Sequence, residues 1–511
     1  MRRDQHKLGR RRAGGRDGGA PAQPAWRQPH NPYRPQEVFS ADHIEAIHTA
    51  SLQVLQEIGV NFLLPEACEL WRQAGATIEG EGPRVRFEAG LIESLLASLP
   101  ARFTLHARNP EHHVEIGGDA VAFAVVSSAP NVSDLDGGRR PGNFADYCDL
   151  LRLAQALNVC HLIGGYPVEP IDLDPATRHL DAVAAMLRLT DKVVQGYALG
   201  HQRMADAIEL VRIARRLDDQ ELDQQPSIYT VVNSNSPLQY DAFMLEGMME
   251  MARRNQPVVV TPFTLAGAMA PITLPGALVQ QNAEALAGLA FTQLVRPGAP
   301  LVYGCFTSNV DMKSGAPAFG TPEYTIATIA SGQLARRYGV PLRASNTTAS
   351  NAPDAQSAYE SQISIWGSLL AGSNIVKHGL GWLEGGLCAS FEKMVIDAEM
   401  LQMMCAYMQP PVVDSASLGL EAMREVGPGG HYFGAAHTLE RYDSAFYQPL
   451  LSDWRNFETW SEDGAVDATQ RAHRVWQALL AEYQEPQLDP AVDEELEAFV
   501  TRRKEEGGAA A

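Results

Sequence analysis

The chain is poor in cysteine, with six in 511 residues and none in a C-x-x-C or C-x-H pair. That excludes a disulfide framework and a closed zinc site as organising devices. Cys68, Cys148, Cys160, Cys305, Cys388 and Cys405 are scattered, as suits a reducing cytoplasm. Cys305 and Cys388 fall near loop ends, where a thiol serves either a site or a buried core. No apolar run approaches the roughly 20 residues that cross a bilayer, so no membrane role is expected. The basic N-terminus lacks an apolar stretch and does not read as a secretory signal. Positive charge is also scarce: 41 Lys and Arg face 61 Asp and Glu, a net charge of −20. Outside the first 16 residues such a surface repels nucleic acid. Finally, no G-x-G-x-x-G follows the first strand candidate, which argues against a doubly wound dinucleotide-binding sheet.

What is present is alternation. Residues 1–38, rich in Arg, Gly and Pro, are expected to form a disordered basic arm. Residues 39–117 are expected to be mainly helical, with a β-like stretch at Thr77–Phe87. Short apolar runs then recur at Ala120–Val126, Val159–Gly164, Lys192–Leu199, Ser227–Val232, Pro257–Thr261, Pro300–Phe306, Pro341–Ser345 and Asn374–His378. An amphipathic segment of helical period follows each one. Eight such units in strict order predict an α/β fold, a TIM (β/α)8 barrel, over residues 118–410. Residues 411–511 form a C-terminal extension with acidic helical stretches.

In a TIM barrel the chemistry sits on the loops after the strands. The fourth loop offers Asn233 and Asn235, the fifth Phe263, and the sixth, which Phe306 leads into, Asn309. The seventh offers Ser345, Gln356 and Glu360. The eighth, VKHGLGWLEGG, offers His378, Trp382 and Glu384 on a glycine-rich backbone. These loops are rich in amides, hydroxyls and rings and poor in cations, which disfavours a phosphorylated substrate. His378 stands almost alone, so no metal site is expected. Glu323, Glu360 and Glu384 leave paired-carboxylate hydrolysis open, though each also suits a helix cap. A cationic, methyl-rich ligand fits better, held by the rings of Trp382, Phe263, Phe306 and Phe319, with Glu384 or Glu360 as counter-charge. Phe263 and Phe306 read equally as barrel core, and His378 as a satisfied core histidine.

The segments SNVDMKSGAPAFGTPEY (Ser308–Tyr324), PDAQSAYE (Pro353–Glu360) and GLGWLEGGLCASFEKMVIDAE (Gly379–Glu399) resemble the trimethylamine methyltransferase family. The resemblance runs from about residue 35 to 480. It implies a barrel enzyme that passes a methyl group from a methylated amine to the Co(I) of a separate corrinoid (cobalamin) protein, with no cofactor bound directly. Archaeal members acting on trimethylamine carry pyrrolysine at the mouth. This chain has only standard residues, and its seventh loop reads ASNTTAS (Ala344–Ser350). It therefore resembles the non-pyrrolysine branch, which implies a quaternary amine of the betaine type. A betaine carboxylate then needs a donor, for which His378, Asn233, Asn235 and Arg343 are candidates. The resemblance also implies a cytoplasmic homo-oligomer. A corrinoid-independent hydrolase or lyase, a tertiary methylamine methyltransferase and a non-catalytic amine-binding protein are the alternatives.

Overall fold

The computed structural model describes residues 19–80 and 82–509. Strands β1 (Ala122–Val125), β2 (Leu162–Ile163), β3 (Val193–Gln195) and β4 (Ile228–Val232) lie in the first half of the barrel. Strands β5 (Val258–Val260), β6 (Leu301–Gly304), β7 (Leu342–Ser345) and β8 (Ile375–Leu380) complete it. All eight pair in parallel, and Ile375 on β8 pairs with Ala122 on β1 to close the barrel. The predicted (β/α)8 barrel is therefore the fold.

A helix follows each strand. They are α1 (Phe144–Ala156), α2 (Arg178–Leu189), α3 (His201–Arg215), α4 (Ala242–Arg253), α5 (Leu274–Val295), α6 (Pro322–Tyr338), α7 (Ala355–Ala371) and α8 (Phe391–Tyr407). Their starts are written locally. The side chains of Asn143, Asp241, Thr321, Asp354 and Ser390 each accept a hydrogen bond from a first-turn backbone N–H. No helix among the described residues is long and apolar enough to cross a membrane.

Side chains alternate along a strand, so every second residue points into the barrel. The lower tier of inward residues is apolar: Ala122, Leu162, Val193, Tyr229, Val259, Val302 and Ile375. An antiparallel hairpin, Arg102–Leu105 with Val114–Gly117, plugs the barrel from below with Leu105, Val114 and Ile116. Within residues 39–117, helices Ala41–Gln53, Pro65–Gln73 and Ala89–Leu96 stand beside this hairpin, and the β-like stretch at Thr77–Phe87 holds strands Thr77–Ile78 and Arg84–Arg86. Val60–Phe62 also forms a strand, pairing with Gln239–Tyr240 from the fourth loop and with Arg84–Arg86.

Residues 19–38 differ from the disorder expected of them. Asn31 N donates to Asp119 O at 2.8 Å, Gln36 N donates to Leu370 O at 2.7 Å, and Trp26 packs on His112 at 4.7 Å. Backbone pairing and one half-buried ring hold a segment whose composition alone reads as unstructured. The rest of the expected arm lies outside the described residues. In the extension, helix Ala468–Ala481 packs on α8 and α1, and Pro490–Glu505 on α2 and α3.

Beyond the strand ends the loops form their own small sheets. Phe263–Ala266 runs parallel to Phe306–Val310, with Phe263 beside Phe306. Trp382–Leu383 pairs with Cys388–Ser390, which joins the hairpin Asn131–Asp134/Gly138–Pro141.

Candidate active site

A cavity of about 740 Å³ opens at the carboxyl ends of the barrel strands. It sits directly on the apolar lower tier. Two residues further along several strands, the inward positions change character: Val193 is followed by Gln195 and Tyr197, Val259 by Thr261 and Phe263, and Ile375 by Lys377. Arg343 on β7 and Phe306 after β6 complete the inner wall.

The floor carries two buried basic side chains. Lys377 Nζ donates to Gly164 O at 2.7 Å and to Gln195 Oε1 across the barrel. Burial, and then the neighbouring Arg343, hold its amine well below the usual lysine range. The Arg343 guanidinium, whose residue is 2% exposed, donates to Cys305 O at 3.2 Å and lies over the Phe306 ring at 5.4 Å. Its buried Nε has no protein partner. A guanidinium stays charged at any ordinary pH, so this donor is open to a carboxylate.

The wall is aromatic. His378 and Trp382 have ring centres 4.2 Å apart; Phe306 stands 6.2 Å from Trp382 and 5.2 Å from Phe263. Tyr166 and Tyr197 face the same space, 4.6 Å from each other. Burial, Lys377 and Arg343 together keep the His378 imidazole neutral, its pKa well below the usual value. Its Nδ1 is buried without a partner, and its backbone φ is +54°. That left-handed conformation is strained for a non-glycine residue. It coincides with a register break in β8 between Val376 and Leu380, and bulges commonly re-aim side chains at sites. Trp382 is fixed by its Nε1 donating to Thr348 O at 3.1 Å. Gly386, at φ +100°, lies so close that a Cβ there would meet the indole at 2.6 Å, so the glycine allows the loop to cover the ring.

Of the residues singled out from sequence, Asn233, Phe263, Phe306, Arg343, His378 and Trp382 line the cavity. Others do not, among them Phe319, buried 5.6 Å from Phe306, and Glu323 in the first turn of α6. Glu384 is paired with Arg139 Nε at 2.9 Å, on the outside of its loop. Glu360 accepts from Thr348 Oγ1, from Ala349 N at 2.9 Å and from Ser350 N at 3.1 Å, which pins the seventh loop. Gln356 donates to Glu360 at 2.9 Å from the start of α7. Asn309 accepts from Thr321 Oγ1 at 3.2 Å, and Asn235 accepts from Asp241 N at 2.9 Å. Ser345 is buried under Tyr324, whose hydroxyl donates to its carbonyl at 2.9 Å. Glu360 and Asn235 thereby satisfy loop backbone N–H groups, which must be paired when buried. With Glu360 and Glu384 engaged, Glu169 is the one carboxylate on the cavity wall among the described residues, and no second one stands there to pair with it.

Sequence reasoning passed over Tyr166, Gln195, Tyr197 and Lys377. The signal that finds them is the period of two, counted outward from the apolar inward residues of each strand.

The family model for trimethylamine methyltransferase (MTTB) matches residues 6–508. A glycine betaine methyltransferase of Desulfitobacterium hafniense (strain Y51) is 38% identical over 472 residues, covering 92% of this chain and 98% of that one. A trimethylamine methyltransferase of Desulfitobacterium hafniense (strain DSM 10664 / DCB-2) is 28% identical over 476 residues, covering 92% and 95%. Among solved structures, the monomethylamine methyltransferase of Methanosarcina barkeri superposes with a TM-score of 0.52 at 12% identity, over 90% of this chain and 88% of that one. That likeness is one of fold. This chain belongs to the trimethylamine methyltransferase family.

Proposed function

We propose that the chain takes a methyl group from a betaine-type quaternary amine and passes it to the Co(I) of a corrinoid carried by a separate protein. One observation carries this: Arg343 and Lys377 are buried side by side on the floor of an aromatic-walled cavity. A simple methylammonium ion entering there meets the charged Arg343 guanidinium and brings no anion for it or for the Lys377 amine. A zwitterion presents a carboxylate to them and its ammonium to the rings.

The chemistry divides accordingly. Arg343 Nε and the Lys377 amine bind the carboxylate, an interaction that charged donors strengthen. His378 Nδ1, neutral and unpartnered, is placed to add one more contact. Phe306, Trp382, Phe263, Tyr166 and Tyr197 offer π faces to the trimethylammonium head, each contributing about 0.5–2 kcal/mol. A quaternary nitrogen needs no general acid, because loss of methyl leaves it as a neutral tertiary amine with the former C–N electron pair. The corrinoid supplies the nucleophile when its protein docks. The cavity suits that approach, since its rim residues Leu199 and Leu387 are 45% and 55% exposed. The protein's own contribution is position, which can supply up to about 7–11 kcal/mol of a barrier. The six cysteines are free, in keeping with a cytoplasmic enzyme.

Calorimetry with glycine betaine, trimethylamine and tetramethylammonium tests the proposal, followed by methyl transfer to a Co(I) corrinoid protein. The expected result is binding of the betaine and neither simple amine, with the cobalt spectrum changing only when betaine is present. Equal affinity for tetramethylammonium and betaine would sink the carboxylate assignment.

A further inference from the structure

Lys393 and Asp397 stand one turn apart on α8, and both side chains are 0% exposed. Lys393 Nζ pairs directly with Asp397 Oδ1, and neither residue lines the cavity. Burying two charges seldom stabilises a fold. The desolvation of each offsets their attraction, and apolar side chains of like volume usually serve as well or better. The pair's remaining contacts supply a different role.

The second carboxylate oxygen of Asp397 accepts from Gly381 N at 2.8 Å. The Lys393 ammonium also donates to Ser361 Oγ on α7 at 2.8 Å, which fixes the pair between two helices. Gly381 is the last residue before Trp382, where the chain leaves β8. Its φ is +93°, and a Cβ there would meet Met394 Cγ at 2.6 Å, so the backbone passes flush against α8. Its carbonyl accepts from Ser390 N at 3.0 Å. Both polar groups of this one residue are thus held by α8 and its cap. Upstream, the buried Asn346 donates from Nδ2 to Gly379 O at 3.3 Å. Gly379 and Gly381, which lie between His378 and Trp382, are therefore each gripped by a buried side chain. The left-handed backbone of His378 beside the register break in β8 needs such a grip, because strained conformations persist only where their surroundings over-determine them. A charged acceptor grips harder than a neutral one.

We infer that the buried Lys393–Asp397 pair is a positioning device: through Gly381 it fixes the bulge of β8, and with it the aim of His378 and Trp382 into the cavity. Neither residue of the pair touches substrate. The inference rests on the betaine reading only for the ligand that reports it.

Two variants of the full chain test it, and both remove the two charges. Lys393→Met with Asp397→Leu leaves Gly381 N without an acceptor, whereas Lys393→Met with Asp397→Asn keeps an amide oxygen for it. Thermal unfolding of the first should occur no lower than in wild type, as expected when apolar side chains replace a buried pair. Hydrogen exchange over residues 379–382, measured by mass spectrometry without ligand, should nevertheless speed up. Betaine affinity, measured by calorimetry, should fall about tenfold as the imidazole and indole lose their aim. The Asn variant should hold both exchange and affinity near wild type. Unchanged exchange in the Leu variant, or equal losses in the two variants, overturns the inference. Should the Leu variant misfold, the wild type still decides: residues 379–382 are expected to exchange as slowly as Ile375–Val376 of the barrel strand, and exchange as fast as an exposed loop overturns the grip. A wild type that binds no betaine strikes the substrate reading alone, since exchange is read without it.

Discussion

The two tiers of the barrel interior are built from the same eight strands and behave oppositely. Below, Ile375, Val193 and Val259 pack with a sealing hairpin into a dry apolar plug. One inward step above, Lys377, Gln195 and Thr261 line an open cavity, and Thr261 Oγ1, Arg343 Nε and His378 Nδ1 have no protein partner. Native interiors pair nearly all their buried polar groups. The lower tier obeys that rule by having few such groups, and the upper tier departs from it around the cavity, where the proposed function places the substrate. Stability and recognition are therefore stacked along one axis, which makes them separable by mutation.

The sharpest break of that comparison is Arg343→Met. Truncating one side of a buried charge contact costs about 2–5 kcal/mol, so betaine affinity should fall roughly 30- to 4,000-fold. Calorimetry measures it, and an affinity within threefold of wild type would remove Arg343 from the site. The mirror experiment is Ile375→Ala. A large-to-small change in the plug should lower stability by about 2–5 kcal/mol, read by urea unfolding. Betaine affinity in the still-folded protein should hold, and a parallel loss would show that the tiers are coupled.

Smaller effects sharpen the upper tier. Trp382→Leu removes one π face while keeping an apolar wall. It should weaken betaine by about 0.5–2 kcal/mol and leave unaffected an analogue carboxylate whose trimethylammonium head is replaced by an uncharged tert-butyl group. The smallest expected signal is a proton. The Lys377 amine is depressed when the cavity lacks an anion, and a bound carboxylate raises its pKa again. Between those two pKa values binding takes up a proton, so affinity falls as pH rises. Calorimetry in two buffers of different ionisation enthalpy reads the uptake, and identical heats would rule it out.

The barrel was legible because its signals are local. Each apolar run is short and β-rich, and Asp241, Thr321 and Ser390 mark the start of the next helix with a side-chain cap. His378 and Trp382 were legible for a related reason: a histidine ending an apolar run and an indole among glycines both stand out in a window of ten residues. Glu360 and Glu384 stood out equally, and their partners Ala349 N and Arg139 could not be read from the same window. The hairpin below the barrel escaped because what it packs on, the bottom of the barrel, is distant in the chain, and the ordering of residues 19–38 because it rests on pairing with distant chain.

What the sequence by itself determined is the count and order of the units, and with them the barrel and its family. Periodicity is a property of neighbours and survives in one dimension. The tertiary structure alone decided that Lys377 meets Gly164 and Gln195, 213 and 182 residues away. That meeting depends on β8 closing against β1 and on the register at which it closes. A shift of one residue there turns each inward side chain outward, so the cavity's charge is a property of closure.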